Sequence, residues 1–252
     1  MSGAGEAVGE AGGAGPSDSP APGAPTVEIV YYTDPLCCWS WAFEPHWRRL
    51  RAEFGAALDC RYRMAGMIAD WNSYSDPLNS VSRPLQMGPI WREAQHLAGV
   101  AVDDRIWALD PPASSYPACL AVKAAELQSA DAADLYLRRL REAVMTQRRN
   151  IARREVLLEL AEELAAAAPD QLDAHRLRHD LDGQAAREAL REDIKEARYR
   201  GIGRFPTLTL RNPGGTGIVL VGYRPYEALL SGLARVAPEL ASVRQAGAAS
   251  DG

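Results

Sequence analysis

The stretch "DPLCCWSWAFEP", from Asp34 to Pro45, sets two adjacent thiols, Cys37 and Cys38, three and two positions before the hydroxyl of Ser40. It follows a β-type run, "VEIVYYT" at residues 27–33, and opens a helical pattern over about residues 40–54. A cysteine at such a junction lies at a helix N-terminus. Unpaired backbone N–H groups and the helix dipole favour an anion there, so the Cys37 thiol is expected to ionise more readily than a free one. Ser40, one turn on, can donate a hydrogen bond to the thiolate. The chemistry this predicts is nucleophilic: a mixed disulfide formed at Cys37, or a thiolate ligand held there. Cys38 either assists or is incidental, because a disulfide between neighbours would need Cα atoms about 3.8 Å apart, closer than disulfides usually allow.

The other reactive residue types read as structural. Cys60 falls on the apolar side of the alternating run "LDCRYRMAG", and Cys119 follows a helix start in "YPACLAVKAAE". His175 and His179 have a spacing that could chelate a metal, but no third ligand accompanies them and the stretch is charge-rich, which predicts a solvated helix face. His46 is read as exposed. Nothing suggests a metal or a nucleotide.

Composition narrows the classes. With 252 residues, 47% hydrophobic and 24% charged, the chain is an ordinary globular sequence with enough apolar residues for one large domain or two small ones. A net charge of -5 gives no electrostatic footprint for nucleic acid, and no apolar run approaches the ~20 residues of a membrane span. Residues 1–25, rich in Gly, Ala, Pro and Ser, read as a disordered tail without the basic and apolar regions of a secretory signal. A cytoplasmic location is expected, with the four cysteines as thiols.

The elements that must position Cys37 follow from periodicity. A half-buried strand at residues 58–66 completes β-α-β, and turn residues over 69–85 predict a long loop. Helical patterns follow at 87–99, 116–128, 132–149, 153–165, 172–179 and 184–200, the last with Ala186, Leu190, Ile194 and Ala197 as its apolar stripe. "PTLTLRNPGGTGIVLVG" reads as a β-hairpin and "RPYEALLSGLARV" as a closing helix. The implied organisation is a tail at 1–25, a β-α-β unit and loop at 26–85, helices at 86–183, an α, β-hairpin, α unit at 184–240, and a flexible tail at 241–252.

This order resembles the DsbA-like branch of the thioredoxin fold. "TDPLCCWSWAFEP" is similar to the family's active-site stretch, in which an Asp precedes a C-x-x-C by three positions; "GIGRFPTLTL" is similar to its cis-proline loop, and "VGYRPYEALL" to its closing strand, glycine and helix. Pro45 falls where such folds often kink the active-site helix. The resemblance spans about residues 27–240 and implies an α/β thioredoxin fold with an inserted all-helical domain. It also implies that Pro206 is cis, leaving the backbone of Phe205 to pair with an extended peptide or glutathione. In this chain the motif reads Cys37-Cys38-Trp39-Ser40, with serine replacing the resolving cysteine, so ordinary dithiol turnover should stall at a one-cysteine intermediate. Kappa-class glutathione transferases and 2-hydroxychromene-2-carboxylate isomerases carry related S-P-Y-S-W stretches. A non-catalytic adaptor of bacterial protein degradation shares the "DPLC" start.

The resemblance therefore implies thiol or glutathione-linked chemistry at Cys37, with Cys38 and Ser40 as the accompanying catalytic residues. Trp39, Arg204, Phe205 and Pro206 are the substrate-binding candidates. No bound cofactor is expected, glutathione is the candidate co-substrate, and the partner is a thiol or disulfide, on a protein or on glutathione. The alternatives are a glutathione-dependent isomerase or transferase, and an adaptor that grips a protein partner. Trp39 and Trp41, two apart on a helix, cannot both face the core, and Trp39 is the better pocket candidate. Trp71 and Tyr74 either wall that pocket or pack on their own domain.

Overall fold

The computed structural model describes residues 27–240, so both tails read from the sequence lie outside the described residues. The β-branched and aromatic run forms β1 (Val27–Thr33), which pairs parallel with β2 (Leu58–Met64) and antiparallel with β3 (Thr207–Arg211). β4 (Gly217–Val221) pairs antiparallel with β3, giving one sheet in the order β2-β1-β3-β4. β1 is thus central, and its last three residues, Tyr31, Tyr32 and Thr33, are buried on both faces.

Between β1 and β2 runs α1 (Cys38–Phe54), with Pro45 inside it and exposed. The described helices continue as α2 (Met87–Ala98), α3 (Ile106–Leu109), α4 (Tyr116–Glu126), α5 (Ala130–Gln147), α6 (Arg154–Ala167), α7 (Ala174–Leu181), α8 (Gln184–Tyr199) and α9 (Tyr226–Val236). α1 and α9 cover one face of the sheet and α8 packs on β2 from the other. α2 to α7 build a second layer whose core is continuous with that under α1.

Several boundaries differ from the sequence pattern for local reasons. α5 begins two residues early because Ser129 caps it, its hydroxyl accepting from the Ala132 amide at 2.9 Å, and it ends with Arg148 in the left-handed conformation. α7 begins two residues later than its apolar pattern because Asp173 is the N-cap, accepting from the Arg176 amide at 3.0 Å. α3 is a single turn, too short for periodicity to reveal. In α8 the fully buried residues are Ala186, Leu190, Asp193 and Ala197; Ile194 packs half-buried against the core as its place in the stripe predicts, and an acid is buried beside it. The ammonium of Lys123, itself 2% exposed, lies 2.9 Å from the Asp193 carboxylate. Arg63 and the Met64 amide donate to the same group at 3.0 and 2.9 Å.

Candidate functional site around Cys37

Cys37 is the N-cap of α1, in extended conformation, and its carbonyl accepts from the Ser40 and Trp41 amides at 3.1 Å. The Phe205–Pro206 peptide bond is cis. Across the junction the Cys37 thiol donates to the Phe205 carbonyl at a sulfur–oxygen distance of 3.5 Å, joining residues 168 positions apart. The fold thus brings together Cys37, Ser40, Phe205 and Pro206.

The expected low thiol pKa is overturned. Burial pushes the Cys37 thiol up, since the residue is 4% exposed and a thiolate there loses hydration. The Ser40 hydroxyl and amide pull the other way, Asp34 adds a repulsive charge, and Arg141 a weaker attractive one.

Beneath the thiol runs a chain of hydrogen bonds invisible in the sequence. Arg141 of α5, 1% exposed, donates Nη2 to Thr33 Oγ1 and Nη1 to Glu44 Oε2 at 2.7 Å. Thr33 Oγ1 donates in turn to Ser40 Oγ at 2.9 Å. A guanidinium has only donors, so Thr33 accepts from Arg141; with Thr33 donating to Ser40, the Ser40 proton is available to Cys37. The signal that could have found Arg141 is its place on the apolar face of α5, between Leu137 and Val144.

On the other side lies the fully buried carboxylate of Asp34. Its Oδ1 accepts from the Leu36 amide at 2.9 Å, and its Oδ2 from the Met67 amide at 2.6 Å, the Ser115 hydroxyl at 2.7 Å and the Cys119 thiol at 3.4 Å. Cys119, read as a packing residue, is therefore also a donor to this hub. Cys38 is 2% exposed in the main core, its thiol facing the Ile90 carbonyl at 3.9 Å, and burial raises its pKa well above the ordinary value. Cys60 is half-buried with its thiol pushed up to about 12 by burial. All four thiols are free.

The rim is aromatic. Both tryptophans of the motif are half-buried: Trp39 lies 6.2 Å from the Tyr223 ring, whereas Trp41 donates Nε1 to the Ala101 carbonyl at 3.0 Å. His46, expected to be exposed, is half-buried and 3.1 Å from the Tyr223 hydroxyl. Trp71 packs edge-on to Tyr74 and Trp107 and donates to the Pro112 carbonyl at 2.8 Å. Burial, and next the charge of Asp76, raise the Tyr74 phenol pKa, and Cys37 and Asp34 lie within electrostatic reach of it. Arg204 is exposed, and His175 and His179 are exposed on α7. A cleft of about 630 Å³ beside Arg48, Arg51 and Cys60 lies toward the C-terminal end of α1 and shares no residue with this site. Among the described residues no helix is long and apolar enough to cross a membrane.

A β1–α1 cysteine facing a cis-proline loop, on a four-stranded mixed sheet with a helical insertion, defines a DsbA-like thioredoxin fold. The chain belongs to the thioredoxin family, which it matches over residues 31–231. The ClpXP adapter protein SpxH of Halalkalibacterium halodurans is 31% identical over 202 residues, which are 79% of this chain and 64% of the adapter. This chain thus spans less than two thirds of that relative's length. The cytosolic disulfide reductase DsbM of Pseudomonas aeruginosa superposes with a TM-score of 0.61 at 22% identity, covering 87% of this chain and 98% of the reductase. A 2-hydroxychromene-2-carboxylate isomerase superposes with a TM-score of 0.58 at 16% identity, over 82% and 95% of the two chains. Both structural likenesses establish the fold.

Proposed function

We propose that this chain is a polypeptide-binding member of the family, an adapter that acts in the cytoplasm, whose groove beside Cys37, Phe205 and Pro206 holds an extended segment of a protein partner. The observation that carries this reading is the absence of a resolving thiol. Ser40 occupies that position with its hydroxyl tied to Thr33, while Cys38 and Cys119 face Ile90 and Asp34. A mixed disulfide formed at Cys37 meets no thiol at the Ser40 position, and Cys38 is turned into the core, so its release would need an external thiol while the groove remains able to bind. The adapter relatives support the same reading.

Its test is to place a photo-crosslinking residue at Trp39 and measure partner capture from host extract, beside glutathione-driven insulin reduction. The expected result is specific capture that Cys37→Ala retains, with insulin reduction at background. Reduction above background that Cys37→Ala abolishes would overturn the adapter reading and establish the second one, glutathione-linked chemistry at a single thiol. That second reading is favoured by the Phe205 carbonyl beside the Cys37 thiol and by the existence of DsbM in complex with glutathione. In either case Trp39 and Phe205 would contact the bound segment, and the exposed Arg204 would attract its carboxylates.

A further inference from the structure

Arg191, Lys195 and Arg198 of α8 rim a cleft of about 360 Å³ whose apolar floor is Ile194 with the Tyr116 ring. With Arg187 they recur at i, i+4, i+8 and i+11, so four cations line one face of the helix over about 16 Å. Lys195 reaches Glu192 at 3.5 Å, but Arg187, Arg191 and Arg198 have no carboxylate partner among the described residues. That is unusual here, because most arginines of the described chain are paired, in a protein whose net charge is -5.

The cleft lies on chain that also reaches the Cys37 site. Its floor rests on Gly66, where a methyl group would fall 2.7 Å from the Tyr116 ring and 2.9 Å from Ile194. The flanking Ala65 and Met67 amides donate to Thr33 and Asp34, so the strand end that carries the floor also walls the site. Ala197, one residue before Arg198, packs with Ala65 and Phe205.

We propose that this cleft docks an acidic segment of the protein partner, with an apolar side chain on Tyr116 and Ile194 and flanking carboxylates on Arg191, Lys195 and Arg198. The proposal rests on the adapter reading and names the partner's chemistry. Guanidinium groups pair with carboxylates in a planar, two-bonded fork, and unpaired arginines at a rim need no existing bond broken to do so. A nucleic acid fits less well. The cationic face is short, and Glu188, Glu192 and Glu196 run alongside it, which repels a uniformly charged backbone but tolerates a short acidic run.

The test is fluorescence anisotropy on the full chain, with a labelled peptide in which aspartates and glutamates flank one leucine. The expected result is salt-sensitive binding, weakened about tenfold or more by R191E/R198E and unchanged by R138E, a reversal at an exposed arginine of α5. Equal binding by R191E/R198E, or no binding by the unmodified chain, would overturn the proposal. So would a single-stranded oligonucleotide that binds through the same arginines more tightly than the peptide. If peptide binding behaves as expected but crosslinking at Trp39 captures nothing, the adapter reading falls and the cleft stands. If capture succeeds while peptide binding ignores the charge reversal, only the cleft falls.

Discussion

Arg141→Met is expected to lower the thermal unfolding midpoint by roughly 10 °C and to slow alkylation of Cys37. The substitution fills similar space but removes the donors to Thr33 and Glu44 from a site 1% exposed. Breaking a buried ion pair on one side typically costs about 3–5 kcal/mol, because the surviving charge stays out of water. For a protein of this size each kcal/mol is worth about 2–4 °C. Arg48, which also reaches Glu44 at 2.7 Å, keeps the loss from being larger. The chemical effect is separate. The Arg141 charge favours the Cys37 thiolate and its bond orients Thr33, so without it the thiol titrates still higher. Calorimetry reads the first effect and the pH profile of iodoacetamide labelling the second. Arg141→Lys, which keeps the charge but loses the two-pronged geometry, should restore the labelling profile more fully than the melting point. A melting point within 2 °C of the parent would sink the structural claim.

The second large effect is Lys123→Met, which takes the ammonium from the buried Asp193 carboxylate, leaving it Arg63 and the Met64 amide, and removes the ion-pair partner of Glu126. With Lys123 in place, burial already holds the Asp193 carboxyl above its ordinary range. A carboxyl raised in the folded state contributes stability below its unfolded pKa of about 4 and loses it as pH rises through the higher folded value. Removing Lys123 enlarges that rise. The deficit of the variant, on the order of 3 kcal/mol at neutral pH, should therefore shrink as pH falls from 7 toward 5. Chemical denaturation of both proteins at the two pH values checks this, and a deficit that stays constant would show that lost packing, not the stranded charge, causes it.

The sheet, the hairpin and most helices were legible because each buries one face at a constant period. The site was legible only where it is local: Cys37 and Ser40 lie in one turn, and the resemblance supplied Phe205 and Pro206. Thr33, Glu44 and Arg141 were not legible as a group, because Arg141 sits 108 positions from Thr33 and "LRRLREAV" holds three arginines of identical chemistry. Only the phase of α5 turns Arg141 inward. Asp193 was missed for the converse reason, since an acid in an apolar stripe looks like a solvated position until Lys123 is brought opposite it. The thiol pKa was misjudged because a helix N-terminus was weighed without the burial that opposes it.

Asp34 gathers bonds from the β1–α1 turn, from the segment after β2 through Met67, and from α4 through Ser115 and Cys119. One carboxylate thus fastens the β1–α1 turn and the segment after β2, on one side of the long loop at residues 69–85, to α4 on the other, beside the core packing that already joins them. The loop is consequently dispensable as a covalent link. A protease nick among its exposed residues 77–80 should leave two fragments that elute as one species from a sizing column and separate only in denaturant.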